Sequence, residues 1–524
     1  MYPLNHNILI MTFRLLLTLF LALSFNFSNA QQDLSPCGTA PYKSDWLKKY
    51  QQAPEDYSKL EDTLIYVPLT IHLVGTDDGF GFFSPRGLLD AFCTLTEDFE
   101  PTNIRFYIEG DINYIFSSAY LDHPTVLDGA EMMFEHNVEN TLNCYFVSDP
   151  AGNCGYNLPY AGLTVAKSCA GINDHTWAHE IGHALSLAHP FFGWEGGVSH
   201  DGSVPHDFSD PAPLTVTYDY TYFLDTLILD TMIIDTAYVE FVDGSNCHIA
   251  ADGFCDTAPD YLASRWICNS NSESADIQTD PSGATFQSDG TLIMSYADDA
   301  CSYRFSEEQI AAMRANLIDE KPHWLYDQTA EQPVEGLANL ISPIDDEVVQ
   351  FNEVLLEWEA VPNATHYVVE VSRLQNFPLT LTDSYLINGN ALTVNNLLDQ
   401  KKYYWRVRAF NRQHFCAPFT EKESFETDNF LSVDENKYLT SFEIFPSQVS
   451  AGSTVNIQVN SKYGFKGEIR LLNILGQLSE VADFDFTVGE NKLELDIPDN
   501  LPSGLYVLAV AGNGAITSKK IVIE

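Results

Sequence analysis

An eleven-residue stretch, HEIGHALSLAH from His179 to His189, constrains the fold of this chain more than any other feature. On a helix, His179 and His183 lie one turn apart, so both imidazoles project from the same face. Two neutral imidazoles in that arrangement can ligate one zinc ion. His189 follows six residues after His183 and can reach the same ion only if the helix ends between them. The stretch therefore predicts a helix that stops beside a three-histidine metal site.

Glu180, directly after the first histidine, has the chemistry of a general base. It lies about 100° round the helix from His179, where it can reach water at the metal without being a ligand. Zinc lowers the pKa of such water to about 7, and a carboxylate can then take its proton. His175 lies one turn earlier on the ligand face. We predict that it is not a ligand, because a catalytic zinc keeps its fourth position for water.

Composition limits the domain number and the partners of the chain. Its 524 residues exceed what one hydrophobic core holds, so we expect two to four domains. The 73 Asp and Glu residues outnumber the 26 Lys and Arg residues and give a formal net charge of −47. That charge would repel phosphate backbones, so nucleic acid is not an expected partner. The acidity favours a solvated surface, and calcium bound by carboxylates is the alternative interpretation.

The N-terminus carries the pattern of a secretory signal. Arg14 precedes the apolar run Leu15–Phe25, which is too short to span a bilayer but suits a signal-peptide core. A small-x-small sequence at residues 28–30 offers a cleavage site. We therefore predict a signal peptide at residues 1–30, with Met11 as an alternative start. The rest of the sequence lacks a long uncharged apolar run, so we expect a secreted or surface-attached protein without a transmembrane segment.

The cysteines agree with export. The chain has 10 cysteines and they form no CxxC pair, which excludes a cysteine-rich zinc ribbon and favours disulfides in an oxidising compartment. Cys154 with Cys169 and Cys247 with Cys255 are close enough in sequence to bond. Spacing alone does not fix the connectivity.

Residues 61–328 mix helical and strand patterns, which predicts an α/β domain. LIYVPLTIHLVG is rich in β-branched residues and predicts a strand. SEEQIAAMRANL predicts a helix with Ser306 as N-cap and Gln309 as its capping-box partner. Aromatic or β-branched residues alternate with Asp and Thr over 215–241 and predict hairpin strands. Residues 31–60 ahead of this domain are expected to form a pro-segment or N-terminal arm.

The histidine motif resembles the metzincin signature HExxHxxGxxH, and its surroundings resemble the pappalysin/cytophagalysin branch of that family. Residues 243–261 resemble the branch's Cys-Asp-Thr-Pro segment. LIMSYADDACSYRFSEEQIAAMR resembles its Met-turn, with Met294 beneath the zinc and Tyr296 two residues on. The resemblance covers about residues 60–325. It implies a metzincin-like catalytic domain and a secreted zinc-dependent endopeptidase that hydrolyses peptide bonds in proteins.

The resemblance also implies roles for further residues. Tyr296 would donate a hydrogen bond to the tetrahedral oxyanion, and Cys268 and Cys301 would form a disulfide around the Met-turn. The sequence departs from the family at two places. Ser186 replaces a glycine at the helix end, where a left-handed serine costs about 1–2 kcal/mol. Residues 256–259 read Asp-Thr-Ala-Pro in place of Asp-Thr-Pro.

Cys37 precedes the predicted catalytic domain in the sequence Ser-Pro-Cys-Gly-Thr. A cysteine thiolate is a good fourth ligand for zinc and would displace the catalytic water. Cys37 is therefore a candidate zymogen switch. The alternative is a disulfide to Cys93 or Cys416.

Asp298 and Asp299 follow the Met-turn directly. One interpretation places them in a specificity pocket that favours Arg or Lys in the substrate. The alternatives are calcium ligands and surface carboxylates.

Two all-β sandwich domains are predicted after the α/β domain. Residues 335–428 resemble a fibronectin type III domain, with Trp358, Tyr367 and the Tyr404-Trp405 pair at core positions; a generic β-sandwich is the alternative. Residues 441–524 resemble the type IX secretion sorting domain in FEIFPS, LLNILGQ, NLPSGLYVLAV and the terminal KKIVIE, with Gly476 and Gly504 expected in tight turns. This second resemblance implies the type IX secretion machinery as a partner.

A different class of function has to be weighed against the enzyme. The chain could be a non-catalytic cell-surface adhesin or binding protein with a degenerate protease fold. Such a loss would normally replace Glu180 or one of the three histidines, and all four are intact. The sequence therefore favours the peptidase, with protein or peptide substrates.

Overall fold

The computed structural model describes residues 34–58, 63–195, 206–219, 234–395, 397–428, 439–473, 478–512 and 515–524. The predicted signal peptide lies outside these residues. So do residues 220–233 of the predicted hairpin and residues 474–477 of the LLNILGQ motif, including Gly476. Across the described ranges, none of the helices is both long enough and apolar enough to cross a membrane.

The α-helices of the described residues all lie before residue 320. They are α1 Asp45–Gln52, α2 Pro85–Phe99, α3 Ser118–Leu121, α4 Val126–His136, α5 Thr176–Ala184 and α6 Glu307–Asp319. Short 3-10 helices occupy Pro54–Asp56, Glu100–Thr102, Lys167–Cys169, Pro322–Trp324 and Leu379–Leu381. The capping box of α6 forms as its sequence predicts, because Ser306 Oγ accepts from the Gln309 N–H and the Gln309 side chain accepts from the Ser306 N–H.

The N-terminal region is built on a mostly parallel sheet. The strands of this region are β1 Ile65–Gly75, β2 Ile104–Ile108, β3 Asn113–Phe116, β4 Asp122–His123, β5 Leu142–Val147, β6 Asp149–Pro150, β7 Gly155–Leu158 and β8 Gly162–Ala166. The strands β4 and β6 pair only with each other, and the other six form the sheet. The order is β2-β1-β5-β8-β7, and β3 pairs with the second half of β1. The edge strand β7 alone runs antiparallel in this sheet, and α5 lies against β7 and β8.

Four short strands complete this region. They are β9 Thr215–Asp219, β10 Ile234–Tyr238, β11 Gln278–Thr279 and β12 Thr285–Phe286. The strands β9 and β10 pair antiparallel, as the alternating pattern predicts.

A middle sandwich follows, with strands β13 Leu340–Ser342, β14 Glu347–Gln350, β15 Val354–Trp358, β16 His366–Ser372, β17 Thr382–Ile387, β18 Ala391–Val394, β19 Lys402–Phe410 and β20 Glu423–Asp428. Its sheets have the orders β13-β15-β18 and β14-β20-β19-β16-β17, in agreement with the predicted fibronectin type III-like sandwich. Trp358, Tyr367 and Trp405 are buried. Tyr404 is only half-buried, because successive strand residues face opposite sides and Trp405 takes the inner one.

A terminal sandwich contains β21 Leu439–Phe445, β22 Gln448–Val449, β23 Thr454–Ser461, β24 Phe465–Asn473, β25 Leu478–Phe486, β26 Gly489–Asp496, β27 Gly504–Gly512 and β28 Ala515–Ile523. Its sheets have the orders β21-β23-β26 and β22-β28-β27-β24-β25. The prediction for Gly504 was wrong. This glycine pairs with Ile523 as the first residue of β27 and does not lie in a tight turn.

Four disulfides join described residues. Cys154–Cys169, Cys247–Cys255 and Cys268–Cys301 pair as expected, and Cys93 pairs with Cys416. Cys37 and Cys144 are free and buried. The alternative disulfide of Cys37 is therefore wrong, since both of its proposed partners are bonded to each other.

The described residues divide into two compact units. The first comprises the chain up to Ser342 together with Glu357–Leu392 and Tyr404–Glu423, and the second comprises Pro343–Leu356, Thr393–Tyr403 and Ser424–Glu524. The first unit thus continues past the predicted domain boundary at residues 328–335 and includes much of the middle sandwich.

Candidate metal centre

The helix α5 ends where the histidine spacing requires it. Ser186 adopts φ +72°, in the left-handed region. Its N–H donates to the His183 carbonyl and the Leu187 N–H donates to the Gly182 carbonyl, each at 2.9 Å. These two bonds form a Schellman motif, which closes a helix and turns the chain away from its axis. The turn brings His189 back toward the two helical histidines.

The serine at this glycine-favouring position has a specific partner. Asn316 Nδ2 of α6 donates to Ser186 Oγ at 3.1 Å, and Asn316 is 1% exposed. The hydrogen bond offsets part of the left-handed strain. It also ties the end of α5 to α6.

Two substitutions at Ser186 distinguish the cost of its left-handed backbone from the contribution of its hydrogen bond to stability. Ser186→Ala keeps the strain and leaves a buried amide donor unpaired, so we expect the free energy of unfolding to fall by about 1–3 kcal/mol. Ser186→Gly loses the same bond but relieves about 1–2 kcal/mol of strain, so its stability should lie within about 1 kcal/mol of wild type. Urea unfolding of both variants is the measurement. A glycine variant as unstable as the alanine variant would contradict this account.

Three imidazoles converge on one point. The distances between their Nε2 atoms are 3.1 Å for His179–His189, 3.1 Å for His179–His183 and 3.0 Å for His183–His189. The other ring nitrogen, Nδ1, forms a hydrogen bond away from this point, with a backbone carbonyl in two of the rings and a glutamate in the third. Nδ1 of His179 donates to the Ile293 carbonyl at 2.8 Å and Nδ1 of His183 to the Leu187 carbonyl at 2.9 Å. Because carbonyl oxygens only accept, the protons lie on Nδ1 and the Nε2 lone pairs face one another.

The protein holds these rings in the neutral form that binds metals. Burial lowers the pKa of His179 and of His189 to about 3, and it holds the pKa of His183 well below its ordinary value. Three facing lone pairs repel one another unless a cation lies between them. The arrangement is therefore suited to a metal ion.

The donor set fits zinc. Cys37 Sγ lies 3.6 Å from His183 Nε2, and the ligand atoms of Cys37 and the three histidines all lie within 4.8 Å of one another. Tetrahedral zinc with nitrogen ligands at 2.0–2.1 Å and sulfur at 2.3 Å separates nitrogens by about 3.3 Å and nitrogen from sulfur by about 3.6 Å. The three nitrogen–nitrogen distances and the Cys37 Sγ–His183 Nε2 distance agree with these values to about 0.3 Å. Nitrogen and thiol donors are also the ligand types that zinc prefers.

Glu195 orients the third histidine, and sequence reasoning missed it. Nδ1 of His189 donates to Glu195 Oε1 at 3.3 Å, and the Gly193 N–H donates to Glu195 Oε2 at 2.6 Å. Burial raises the pKa of Glu195 to about 8. A carboxylate behind a ligand histidine fixes the ring and its tautomer. The available signal was one acidic residue in the otherwise apolar HPFFGWEG, directly after the motif.

Glu180 is fully buried beside the three histidines. Thr39 Oγ1 donates to Glu180 Oε2 at 2.9 Å. Within the described ranges, Oε1 accepts no O–H or N–H hydrogen bond, and the Cys37 thiol lies beside the carboxylate. Burial raises the pKa of Glu180 to about 8. Gly155 of β7 leaves room for the side chain, because a Cβ there would lie 2.8 Å from Glu180 Cγ.

The N-terminal arm delivers Cys37 by running along the edge strand β7. The Cys154 N–H donates to the Ser35 carbonyl at 2.6 Å, and the Gly38 N–H donates to the Gly155 carbonyl at 2.8 Å. Gly38 is needed for this approach, since a Cβ would lie 2.6 Å from Asn153 Nδ2. Burial, followed by the charge of Glu180, raises the pKa of the Cys37 thiol well above its ordinary value. A cation at the three histidines would act in the opposite direction and favour the thiolate.

Met294 and Tyr296 flank the histidines. A Cβ at Gly182 would overlap Met294 Sδ, so the methionine packs directly beneath the ligand helix. The ring centroid of Tyr296 lies 5.0 Å from that of His189 and 5.9 Å from that of His179. Burial holds the pKa of Tyr296 far above its ordinary value, and its hydroxyl contacts the Cys37 thiol. The structure thus brings both residues to the site.

The remaining predicted residues lie outside the ligand group. His175 Nδ1 donates to Asp98 Oδ1 at 2.8 Å. Asp299 forms an ion pair with Arg265, which compensates its charge, and Asp298 Oδ1 accepts from the Ala300 N–H at 3.3 Å. In the part of the chain that the structure describes, Cys37 and the three histidines are the one group of metal-ligand type. The pocket and calcium roles of the two aspartates stay predictions.

Comparisons with known proteins identify the terminal sandwich. Residues 444–524 match the family described as Secretion system C-terminal sorting domain. The protein is therefore secreted or held at the outer cell surface, and the secretion machinery is a partner. No match is found among curated proteins. The crystal structure of chicken CNTN1 FN1-FN3 domains is 11% identical, with 37% of this chain and 70% of that chain covered, at a TM-score of 0.22. A superposition this loose carries no argument.

Proposed function

We propose that the protein is a zinc-dependent endopeptidase of metzincin type that cleaves proteins outside the cell and is made in a latent form. The observation that supports this most strongly is the convergence of the three Nε2 atoms next to a buried, incompletely bonded glutamate. A structural zinc site would have no use for that carboxylate. A hydrolytic site requires it.

The residues around the histidines have distinct tasks in this reaction. Zinc bound there would supply Lewis-acid polarisation of a peptide carbonyl and acidify water. Glu180 takes a proton from water and returns it to the leaving amine. Tyr296 keeps its proton, because burial holds its pKa high, and donates a hydrogen bond to the developing oxyanion.

Latency follows from the position of the arm. Cys37 Sγ lies beside the three histidines, where it would be the fourth ligand of a bound zinc ion, and Thr39 holds one oxygen of Glu180. The arm also covers the edge of β7, where an extended substrate would add as a further strand. Removing the arm by a cut between Cys37 and Leu64 would free all three positions together.

A cavity beside the site can receive a substrate side chain. It has a volume of about 400 Å³ and borders His183, His189, Ser186 and Trp324, with Tyr42 of the arm at its wall. Its size fits a large side chain, so the site suits a peptidase acting on ordinary proteins.

The test of the proposed function is proteolysis by the purified protein after removal of the arm. We expect digestion of casein or gelatin, loss of activity in a zinc chelator, and recovery on addition of zinc. A protein that binds one zinc ion yet never cleaves these substrates would favour the adhesin instead. A protein that binds no zinc would overturn the proposal.

The terminal sandwich gives a separate prediction. Removal of residues 441–524 should leave the protein in the periplasm, because the matched sorting domain lies within this segment and is proposed to address the chain to the type IX machinery. Immunoblotting of periplasm and culture medium measures the distribution. A truncated chain that reaches the medium at the wild-type level would remove the sorting role.

A further inference from the structure

We infer that the part of the middle sandwich that lies in the first compact unit works together with the catalytic residues, with Phe415 as a positioning residue for the histidine helix α5. The inference rests on the proposed function, since α5 carries His179, Glu180 and His183. All contacts used below lie within the first compact unit.

A continuous chain of aromatic rings joins the sandwich to α5. Phe415, in the loop after β19, stacks on Phe92 of α2 with 4.2 Å between ring centroids. Phe92 meets the edge of Trp177 at 4.6 Å, and Trp177 lies in the first turn of α5. None of the three rings is more than 2% exposed. A displacement of Phe415 is therefore transmitted through two close-packed rings to the start of the ligand helix.

A covalent bond and a partly buried ion pair fix the contact between Phe415 and Phe92. Cys93–Cys416 joins the residues that directly follow Phe92 and Phe415. Arg408 of β19 bonds Asp90 Oδ1 of α2 at 2.6 Å and the Phe415 carbonyl at 2.7 Å. The loop and the helix are thus held together by a ring stack, a disulfide and an arginine that bonds both.

A second ionic group strengthens the same contact. Glu370 of β16, 1% exposed, lies between Arg86 of α2 at 3.2 Å and Arg406 of β19 at 2.6 Å. Removing one member would leave a charge buried without its partner. Such a group fixes one arrangement of α2 against the sandwich.

The sandwich residues also contact the mostly parallel sheet of the N-terminal region. The Ile108 N–H, at the end of β2, donates to the Arg412 carbonyl at 2.9 Å. The Arg412 side chain bonds Asp327 at 2.9 Å and Glu331 at 2.7 Å. Val368, Phe410 and Phe415 belong to the same hydrophobic core as α2 and α5. A spacer domain would instead meet its neighbour through a small, polar interface.

The experiment compares Phe415→Ala with Phe415→Leu and with Leu381→Ala in the full chain after arm removal. Leu381 is 64% exposed on the same sandwich and serves as the matched control. For Phe415→Ala we expect at least a tenfold loss of zinc affinity, measured by chelator competition, and a fall in kcat with little change in KM. Phe415→Leu, which refills most of the space, should recover to within about threefold of wild type.

A second variant keeps the inference testable if Phe415→Ala does not fold. In Cys93→Ser/Cys416→Ser the rings remain, and amide exchange in α5 should speed up at least tenfold, whereas Cys247→Ser/Cys255→Ser should stay within twofold of wild type. If Phe415→Ala folds and keeps the wild-type zinc affinity and kcat, the inference is wrong while the proposed function still stands. The same holds if amide exchange in α5 is unchanged in Cys93→Ser/Cys416→Ser. A wild-type protein that binds no zinc would overturn the proposed function, and this inference with it.

Discussion

Glu180→Ala is expected to lower kcat/KM by about 10²–10⁴ while the protein still binds one zinc ion. In the proposed reaction the carboxylate moves protons, whereas the three histidines, whose Nε2 atoms lie 3.0–3.1 Å from one another, would hold the metal. Zinc content by atomic absorption and casein hydrolysis, both after arm removal, measure the two properties separately.

The matched control for Glu180→Ala is Glu131→Ala. Glu131 is an exposed glutamate on α4, and its replacement should change neither zinc content nor kcat/KM. If Glu180→Ala kept most of the wild-type activity, the proposed proton transfer would be wrong. If it lost zinc together with activity, the carboxylate would have to be reassigned as a ligand.

Cys37→Ala should make the precursor active as soon as it is purified, with at least a 10²-fold gain over the wild-type precursor. The thiol is the single group of the arm that enters the ligand set, 3.6 Å from His183 Nε2. Without it the fourth position of a bound zinc ion would be open to water, and the remaining bonds of the arm, to Glu180 and to β7, can be displaced by substrate. Casein hydrolysis by the two uncut precursors measures the difference.

Cys144→Ala is the control for this experiment. Cys144 is the other free and buried cysteine of the described residues, and it is not part of the ligand group. Its replacement should leave the precursor latent. Mass spectrometry of the unreduced wild-type precursor gives an independent check, since recovery of Cys37 in a disulfide-linked peptide would rule out the switch.

Local patterns predicted those parts of the site that depend on local geometry. The need for His189 to return to His183 required a helix end between them, and Ser186 supplies it with φ +72°. The capping box at Ser306 and the strand Ile65–Gly75 were likewise encoded within a few residues. The disulfides between cysteines close in sequence were predictable, because each of these cysteines has few other cysteines within reach.

Features that depend on packing between distant segments were not predictable. Cys93 and Cys416 are separated by 323 residues, and each was considered only as a partner of Cys37. Glu195 contacts His189 because the chain turns back after the motif. Hydrophobic periodicity does not predict the path of such a turn. Gly504 lies in β27 because it pairs with Ile523 of β28, and the residues around Gly504 do not indicate that pairing. Hydrophobic periodicity reports which face of an element is buried, and it does not report which other element covers that face.

The Cys93–Cys416 bond also bears on survival among other peptidases. Exposed loops are the first places at which a secreted chain is nicked. Because this bond closes a loop of 323 residues, a single cut anywhere inside that loop leaves both fragments attached to one another. The two fragments cannot diffuse apart, and the histidine helix lies between Cys93 and Cys416 in the sequence. The nicked protein would therefore run as two bands on a reducing gel and as one band on a non-reducing gel, so comparison of the two gels detects nicking.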